Sequence, residues 1–228
     1  LKKQNVDMVD FFNDVNYDKI NNKNFTSYVF TDSDFWFIES GKVGRTSFDK
    51  NNTEYYEYNP RNNNSFPKAA SSITYYDNFL WVGSFETGLY KYEIKNLKLV
   101  KHYQFDINNQ NSLQTSLVTS LLEKDNKLWI GSAGDGVFIY DSLSDGFVKK
   151  DTKSGLASDI VNKLFVIDDI LFANTQQGLN YLTSNDAYFK SVDTDDGFSI
   201  SSFDDLTFSV LNNFLVVQGK KDQYSIDL

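Results

Sequence analysis

One segment recurs along this chain, and its recurrence limits the possible folds more than any other feature. An Asp-x-x-Leu-Trp-(Ile/Val)-Gly-Ser stretch is followed by a Gly-apolar step and an aromatic pair. It reads DNFLWVGSFETGLYKYE over Asp77–Glu93 and DNKLWIGSAGDGVFIYD over Asp125–Asp141, without a gap between the two. Weaker copies are DDILFANTQQGLNYL at Asp168–Leu182, DSDFWFIESGKVGRTSF from Asp32 and LNNFLVVQGKKDQYSI from Leu211. The anchor position is Trp36, Trp81, Trp129, Phe172 and Leu215, at intervals of 45, 48, 43 and 43 residues. A period of about 40–50 residues divided into four short strands is the spacing of propeller blades.

Turn residues divide each period. The second repeat predicts strands at Ile73–Asp77, Phe79–Ser84, Gly88–Lys95 and Leu97–Phe105. The third predicts Val118–Glu123, Lys127–Ser132, Gly136–Asp141 and Phe147–Thr152. For the fourth they are Ile160–Ile167, Ile170–Asn174, Gly178–Thr183 and Tyr188–Val192. Asp-Asn pairs between the first two strands of a repeat suit a tight hairpin that needs positive φ. Gly88, Gly136 and Gly178 supply the same freedom one turn later. The large side chain at the anchor position is read as a wedge between neighbouring blades. The fifth repeat offers three strands, Leu206–Asn212, Phe214–Gln218 and Gln223–Leu228, while Val6–Phe12 is a spare strand-like run ahead of a first blade that starts near Phe25. Pairing Val6–Phe12 beside Gln223–Leu228 would complete one blade from both ends and leave no open sheet edge. The expectation is an all-β fold: a β-propeller of about five four-stranded blades, the last completed by the N-terminal strand, as a single domain over residues 1–228.

Composition narrows the function. With no cysteine in 228 residues, disulfides and thiolate metal sites are excluded. A net charge of −9 repels phosphate backbones and anionic lipid surfaces, so neither nucleic acid nor a membrane surface is an expected partner. No apolar run approaches the roughly 20 residues of a spanning helix. The chain opens on Leu1 and not Met, which suits a processed product or a fragment of a longer propeller.

The run SLVTSLLEKDNKLWIGSAGDGVFIYD at Ser116–Asp141, and GLASDIVNKLFV at Gly155–Val166, resemble the two-component regulator propeller repeat. Such repeats build the extracytoplasmic sensor regions of bacterial hybrid histidine kinases and diguanylate cyclases. The resemblance implies a propeller outside the cytoplasm, periplasmic or at the cell surface, and recognition of oligosaccharides as in the carbohydrate-utilisation members. Sensor regions of that family usually carry many more repeats, arranged as two propellers.

In propellers, loops joining the second and third strands share a face with loops joining consecutive blades. The first set places Phe85, Glu86, Asp135, Gln176, Gln177, Lys220 and Lys221 around a central funnel. Amides, carboxylates and one aromatic ring suit a sugar: hydroxyls need paired donors and acceptors, and a pyranose face stacks on a ring. The same residues also read as solvated turns. The Asn-rich connections Arg61–Ser72 and Asn108–Ser116 are long enough to carry binding. Asp193, Asp195, Asp196 and Gly197 lack the spacing of a calcium loop and read as an acidic turn. The single histidine, His102, reads as a surface residue of an outer strand, and with no second histidine it supports neither a zinc site nor a catalytic relay. No cofactor and no metal are expected. The reading is a non-catalytic ligand-binding or sensor propeller that takes a small molecule or glycan. A protein-interaction scaffold with a protein partner on the propeller face, and a five-bladed carbohydrate-active hydrolase, are the alternatives.

Overall fold

Asp77 and Asn78 take φ of 50° and 64°, Asp125 and Asn126 take 53° and 56°, and Asp168 and Asp169 take 43° and 68°. Two successive left-handed residues make the turn whose twist matches a β-hairpin, so the chain reverses where the Asp-rich pairs occur. The computed structural model describes residues 25–49, 52–109, 111–192, 207–211, 214–218 and 223–227, the last three stretches as backbone only.

The strands are β1 (Phe25–Phe30), β2 (Asp34–Glu39), β3 (Lys42–Ser47) and β4 (Asn52–Tyr56), then β5 (Ala70–Tyr76), β6 (Phe79–Ser84), β7 (Gly88–Glu93) and β8 (Leu99–Tyr103). Next come β9 (Val118–Lys124), β10 (Lys127–Ser132), β11 (Val137–Asp141) and β12 (Gly146–Lys150), followed by β13 (Val161–Ile167), β14 (Ile170–Thr175), β15 (Gly178–Leu182) and β16 (Lys190–Ser191). Finally β17 (Thr207–Leu211), β18 (Phe214–Gln218) and β19 (Gln223–Asp227) form a sheet of three. The other sheets are four-stranded antiparallel meanders in chain order; each is called a blade below. A 3-10 turn, Thr152–Ser154, joins β12 to β13. First strands touch in the order β1, β5, β9, β13, β17, so they form the innermost layer and the blades follow one another in a propeller-like array. Val6–Phe12, the proposed closing strand, lies outside the described residues.

Three of the anchor residues act as wedges. Trp36 is buried among Ile73, Leu80, Val82 and Tyr92 of blade 2. Trp81 is buried among Val118, Leu121, Leu128 and Ile130 of blade 3, and Trp129 among Val161, Leu164, Leu171 and Ala173 of blade 4. Phe172 is fully buried at the same register, opposite Phe165 and Tyr181. The side chain of Leu215 lies outside the described residues.

Two corrections to the sequence reading concern this frame. β5 starts at Ala70, three residues before the expected Ile73, because Ser71 and Ser72 bind the next blade and not an apolar core. Ser72 Oγ accepts the Leu121 N–H at 2.9 Å, and Ser71 Oγ donates to the Val118 carbonyl at 2.6 Å. The same device recurs one repeat earlier, where Ser27 Oγ accepts from Ile73 N at 3.0 Å, and one later, where Ser120 Oγ accepts from Leu164 N at 3.0 Å. Neighbouring inner strands are thus laced by hydroxyls where sheet hydrogen bonding does not reach. The second correction is the outer strand of blade 4, which is only Lys190–Ser191 and not Tyr188–Val192: after Leu182 a turn closed by Asp186 on Thr183 N and Oγ1 shortens the pairing.

Candidate functional site

In blades 2 to 4 the turn between the second and third strands is tied to the connections beside it. Ser84 Oγ donates to the Lys68 carbonyl at 2.8 Å and accepts from the N–H groups of Glu86 and Thr87 at 3.0 and 3.2 Å. Ser132 and Thr175, the equivalent residues, donate to Gly136 O and Gly178 O at 2.8 and 2.7 Å. The serine of the repeated Gly-Ser is therefore a turn staple. Backbone bonds then join the turns to the chain entering each blade: Phe85 N to Ala69 O at 3.0 Å, Ala133 N to Leu117 O at 3.1 Å, Gln176 N to Ile160 O at 2.9 Å. Others cross to the following blade: Gly88 N to Ser116 O at 2.9 Å and Gly136 N to Asp159 O at 2.7 Å. Gly88 cannot carry a side chain, since a Cβ would lie 2.3 Å from the Tyr103 carbonyl oxygen. The result is one preorganised face of short turns and blade connections.

Phe85 stands on this face half exposed, and Glu86, Gln176 and Gln177 are exposed beside it. The Glu86 carboxylate pairs with Lys68 at 3.3 Å, on the connection entering the same blade. Asp135 pairs with Lys149 of the outermost strand β12 at 3.4 Å, which engages its carboxylate toward the rim. The structure thus puts these five at equivalent turns of one face. Lys220 and Lys221 lie outside the described residues, as do Asp193, Asp195, Asp196 and Gly197.

Two residues of this face escape a reading by strand pattern. Leu117 and Ile160 immediately precede inner strands β9 and β13, and they are 43% and 36% exposed. Ala69 is their counterpart before β5, and all three accept the backbone bond from a turn residue. The mouth of the array therefore carries Phe85, Leu117 and Ile160 as apolar contacts among amides and an ion pair. The intervals 69 to 117 to 160, of 48 and 43 residues, follow the repeat and are the signal that could have found them.

The Asn-rich connections are self-structured. Asn59, Asn62, Asp106 and Asn109 each accept from the N–H two residues on, at 2.9–3.0 Å, and buried Phe66 and Leu113 pin the two connections to the core. His102 is not a free surface residue: it is half-buried, stacks 3.9 Å from Tyr90 and bonds the Thr87 carbonyl through Nε2 at 2.5 Å. It braces the Phe85 turn from the outer strand. Among the described residues no group of three or more His, Asp and Glu side chains is arranged to hold a metal, and no helix is long and apolar enough to cross a membrane.

Fold and face together define a propeller-like all-β module with a laced loop face. No family model matches the sequence, and a search of the curated proteins finds no match. Solved structures do match. The extracellular domain of BT3049 from B. thetaiotaomicron, assigned to a hybrid two-component system, superposes with a TM-score of 0.65 at 17% identity, over 90% of this chain and 28% of that one. The extracellular domain of BT4673 from the same organism gives 0.62 at 13% identity, over 90% of this chain and 31% of that one. The computationally designed Ika4 protein gives 0.51 at 13% identity, over 71% of this chain and 92% of that one. The chain thus spans about a third of the length of the two bacterial domains, and what it shares with them is the fold.

Proposed function

We propose that this chain is a non-catalytic, ligand-binding propeller module of the sensor type, working outside the cytoplasm. In this reading its five blades close into a ring through the N-terminal strand, and a small molecule or glycan docks on the Phe85 face. The observation that carries the reading is the mouth itself: Phe85 on the turn of blade 2, and Leu117 and Ile160 at corresponding positions ahead of blades 3 and 4, stay exposed on a backbone fixed by hydrogen bonds between turns and blade connections. Exposed apolar side chains on a rigid frame, with amides close by, are the composition of a ligand platform. A saccharide would lay its C–H face on Phe85 and its hydroxyls toward Gln176, Gln177 and the Lys68–Glu86 pair. The likeness to extracellular domains of bacterial signalling systems supports the location and the sensor role.

A thermal-shift panel of oligosaccharides and small cyclic metabolites tests this reading. At least one compound should raise the melting temperature in a saturable way, and Phe85→Ala should weaken that compound at least tenfold while the free protein melts as before. A ligand whose affinity ignores both Phe85→Ala and Leu117→Ser would place binding elsewhere and overturn the reading, and so would a panel without a single saturable response.

A further inference from the structure

Blade 1 departs from the other repeats at one corner. Strand pairing sets Asp34, Ser47 and Asn52 in a row across β2, β3 and β4, and Trp36, Arg45 and Glu54 in the next row. Residues paired directly across neighbouring strands share a sheet face, so six side chains, five of them polar, project together. With Ser33 and Asp49 from the adjoining turns, Arg45, Ser47, Asn52 and Glu54 line a hollow of about 230 Å³. The hollow sits at the strand ends opposite the Phe85 face, beside the β1–β2 and β3–β4 turns.

Its base is built. Asp34 is only 2% exposed, and it accepts from Arg45 Nε at 2.8 Å and from Ser33 Oγ at 2.6 Å. The guanidinium lies 5.3 Å over the Trp36 ring. A further hydrogen bond joins it to Tyr56, whose hydroxyl donates to Glu54 at 2.8 Å. Arg45 is thereby fixed at Nε and at the Tyr56 side, and it lines the hollow with N–H donors that have no further partner among the described residues.

The other blades serve as controls within one molecule. Two residues before the wedge they carry Phe79, Lys127 and Ile170 in place of Asp34, and opposite the wedge Lys91, Ile139 and Tyr181 in place of Arg45. The fold therefore does not require a buried carboxylate at this position. A buried ion pair is seldom more stabilising than apolar residues of similar size, so stability alone does not account for the pair in blade 1.

The charges select the occupant. Asp34 neutralises Arg45, and Asp49 and Glu54 add two negative charges to the lining. A simple anion meets two carboxylates, and a metal ion meets a guanidinium. A molecule with a carboxylate at one end and an ammonium at the other satisfies both. Planar guanidinium N–H groups match a carboxylate in two-point geometry, and the volume is below the roughly 300 Å³ at which sites for drug-sized ligands begin. We propose that this corner of blade 1 binds a free α-amino acid, its carboxylate on Arg45, its ammonium toward Asp49 and Glu54, and Ser47 and Asn52 completing its hydrogen bonds. The site is separate from the Phe85 face, so the two readings stand or fall independently.

Isothermal titration with the individual L-amino acids, and with the N-acetylated and C-amidated forms of any that bind, tests it. At least one free amino acid should bind saturably at millimolar concentration or below, and blocking either end should weaken it at least tenfold. Removing Arg45 would strand the buried Asp34 and endanger folding, so the exposed substitutions Glu54→Gln and Asn52→Ala carry the test. Glu54→Gln should weaken binding at least tenfold and Asn52→Ala several-fold, with melting unchanged, while Phe85→Ala should have no effect. Absence of binding by every amino acid, equal binding of the N-acetylated form, or indifference to Glu54→Gln would each overturn the proposal.

Discussion

Gly83 follows Trp81 by two residues, so it faces blade 3 beside the wedge. A Cβ there would stand 2.5 Å from Val118 Cγ1, whereas one at the equivalent Gly131 would stand 3.1 Å from both Thr119 Oγ1 and Val161 Cγ1. The glycine of the repeated Trp-x-Gly is thus the gap through which the next inner strand comes close. Forcing a methyl into a packed seam costs about 1–3 kcal/mol. Gly83→Ala should therefore lower the unfolding free energy in urea by that amount, about 1–3 kcal/mol, and Gly131→Ala by clearly less; equal losses would mean that the seams are not packed as described. Asp145 supplies a pH-dependent counterpart. Burial disfavours its charge, but Lys101 and the hydroxyls of Tyr103 and Tyr140, the latter two at 2.6 and 2.7 Å, outweigh burial and hold its pKa below the ordinary value. A carboxyl depressed in the folded state contributes stability above its unfolded pKa of about 3.9, and that contribution is lost as pH falls through the folded value. The carboxylate is nearly half exposed, so screening keeps the effect small. Stability followed from about pH 5 down to about pH 2 should fall more steeply for the native chain than for Asp145→Asn; parallel curves would refute the assignment.

At the scale of elements, the inner strands join the blades through side chains that local pattern hides. Second and third strands were legible because wedge, glycine and staple residues recur in fixed order, and Phe79–Ser84, Lys127–Ser132 and Phe214–Gln218 match the structure at both ends. The hairpins were legible because the Asp-rich turns state their own φ requirement. The start of β5 was not. Ala70, Ser71 and Ser72 show no apolar alternation, and the partners of the serines lie 47 and 49 residues away. On the loop face, Phe85 and the amides followed from turn positions, while Ile160 was taken into a strand because an apolar residue beside β13 looks like core. The hydroxyl lacing predicts its own energetics. Leu121 and Leu164 are buried, so Ser72→Ala or Ser120→Ala leaves a backbone N–H without an acceptor, at about 1–3 kcal/mol each. Chemical unfolding of the two single variants should show that loss. Losses below about 0.5 kcal/mol, the range of ordinary surface substitutions, would show that the lacing contributes little. Blade 4 carries Asn162 and Lys163 at these positions, so its own inner strand offers no hydroxyl to the blade that follows.

For the whole molecule the decisive question is how the array ends. Five sheets laid side by side by their inner strands leave β1 at one end and β17 at the other, and two exposed ends would be costly for an array held by face-to-face burial. Among the described residues the sheet β17–β18–β19 has three strands, one fewer than its neighbours, and Val6–Phe12 has the length of a fourth. If that run pairs with β19, the first and last parts of the chain share one blade. The chain has no cysteine of its own, which makes a crosslinking test free of background. Ser225→Cys, in the middle of β19, is combined in turn with Asp7→Cys, Met8→Cys and Val9→Cys. Ser209→Cys with Val216→Cys, register partners in β17 and β18, is the positive control. A disulfide needs Cα atoms within about 7 Å, so under mild oxidation one terminal pair should close within the monomer as readily as the control, while its neighbours close poorly. That bond would tie almost the entire chain into a single loop and should raise the unfolding free energy by roughly 5 kcal/mol. If the control closes and every terminal pair remains open, the N-terminal strand does not complete the last blade, and ring closure through it is refuted.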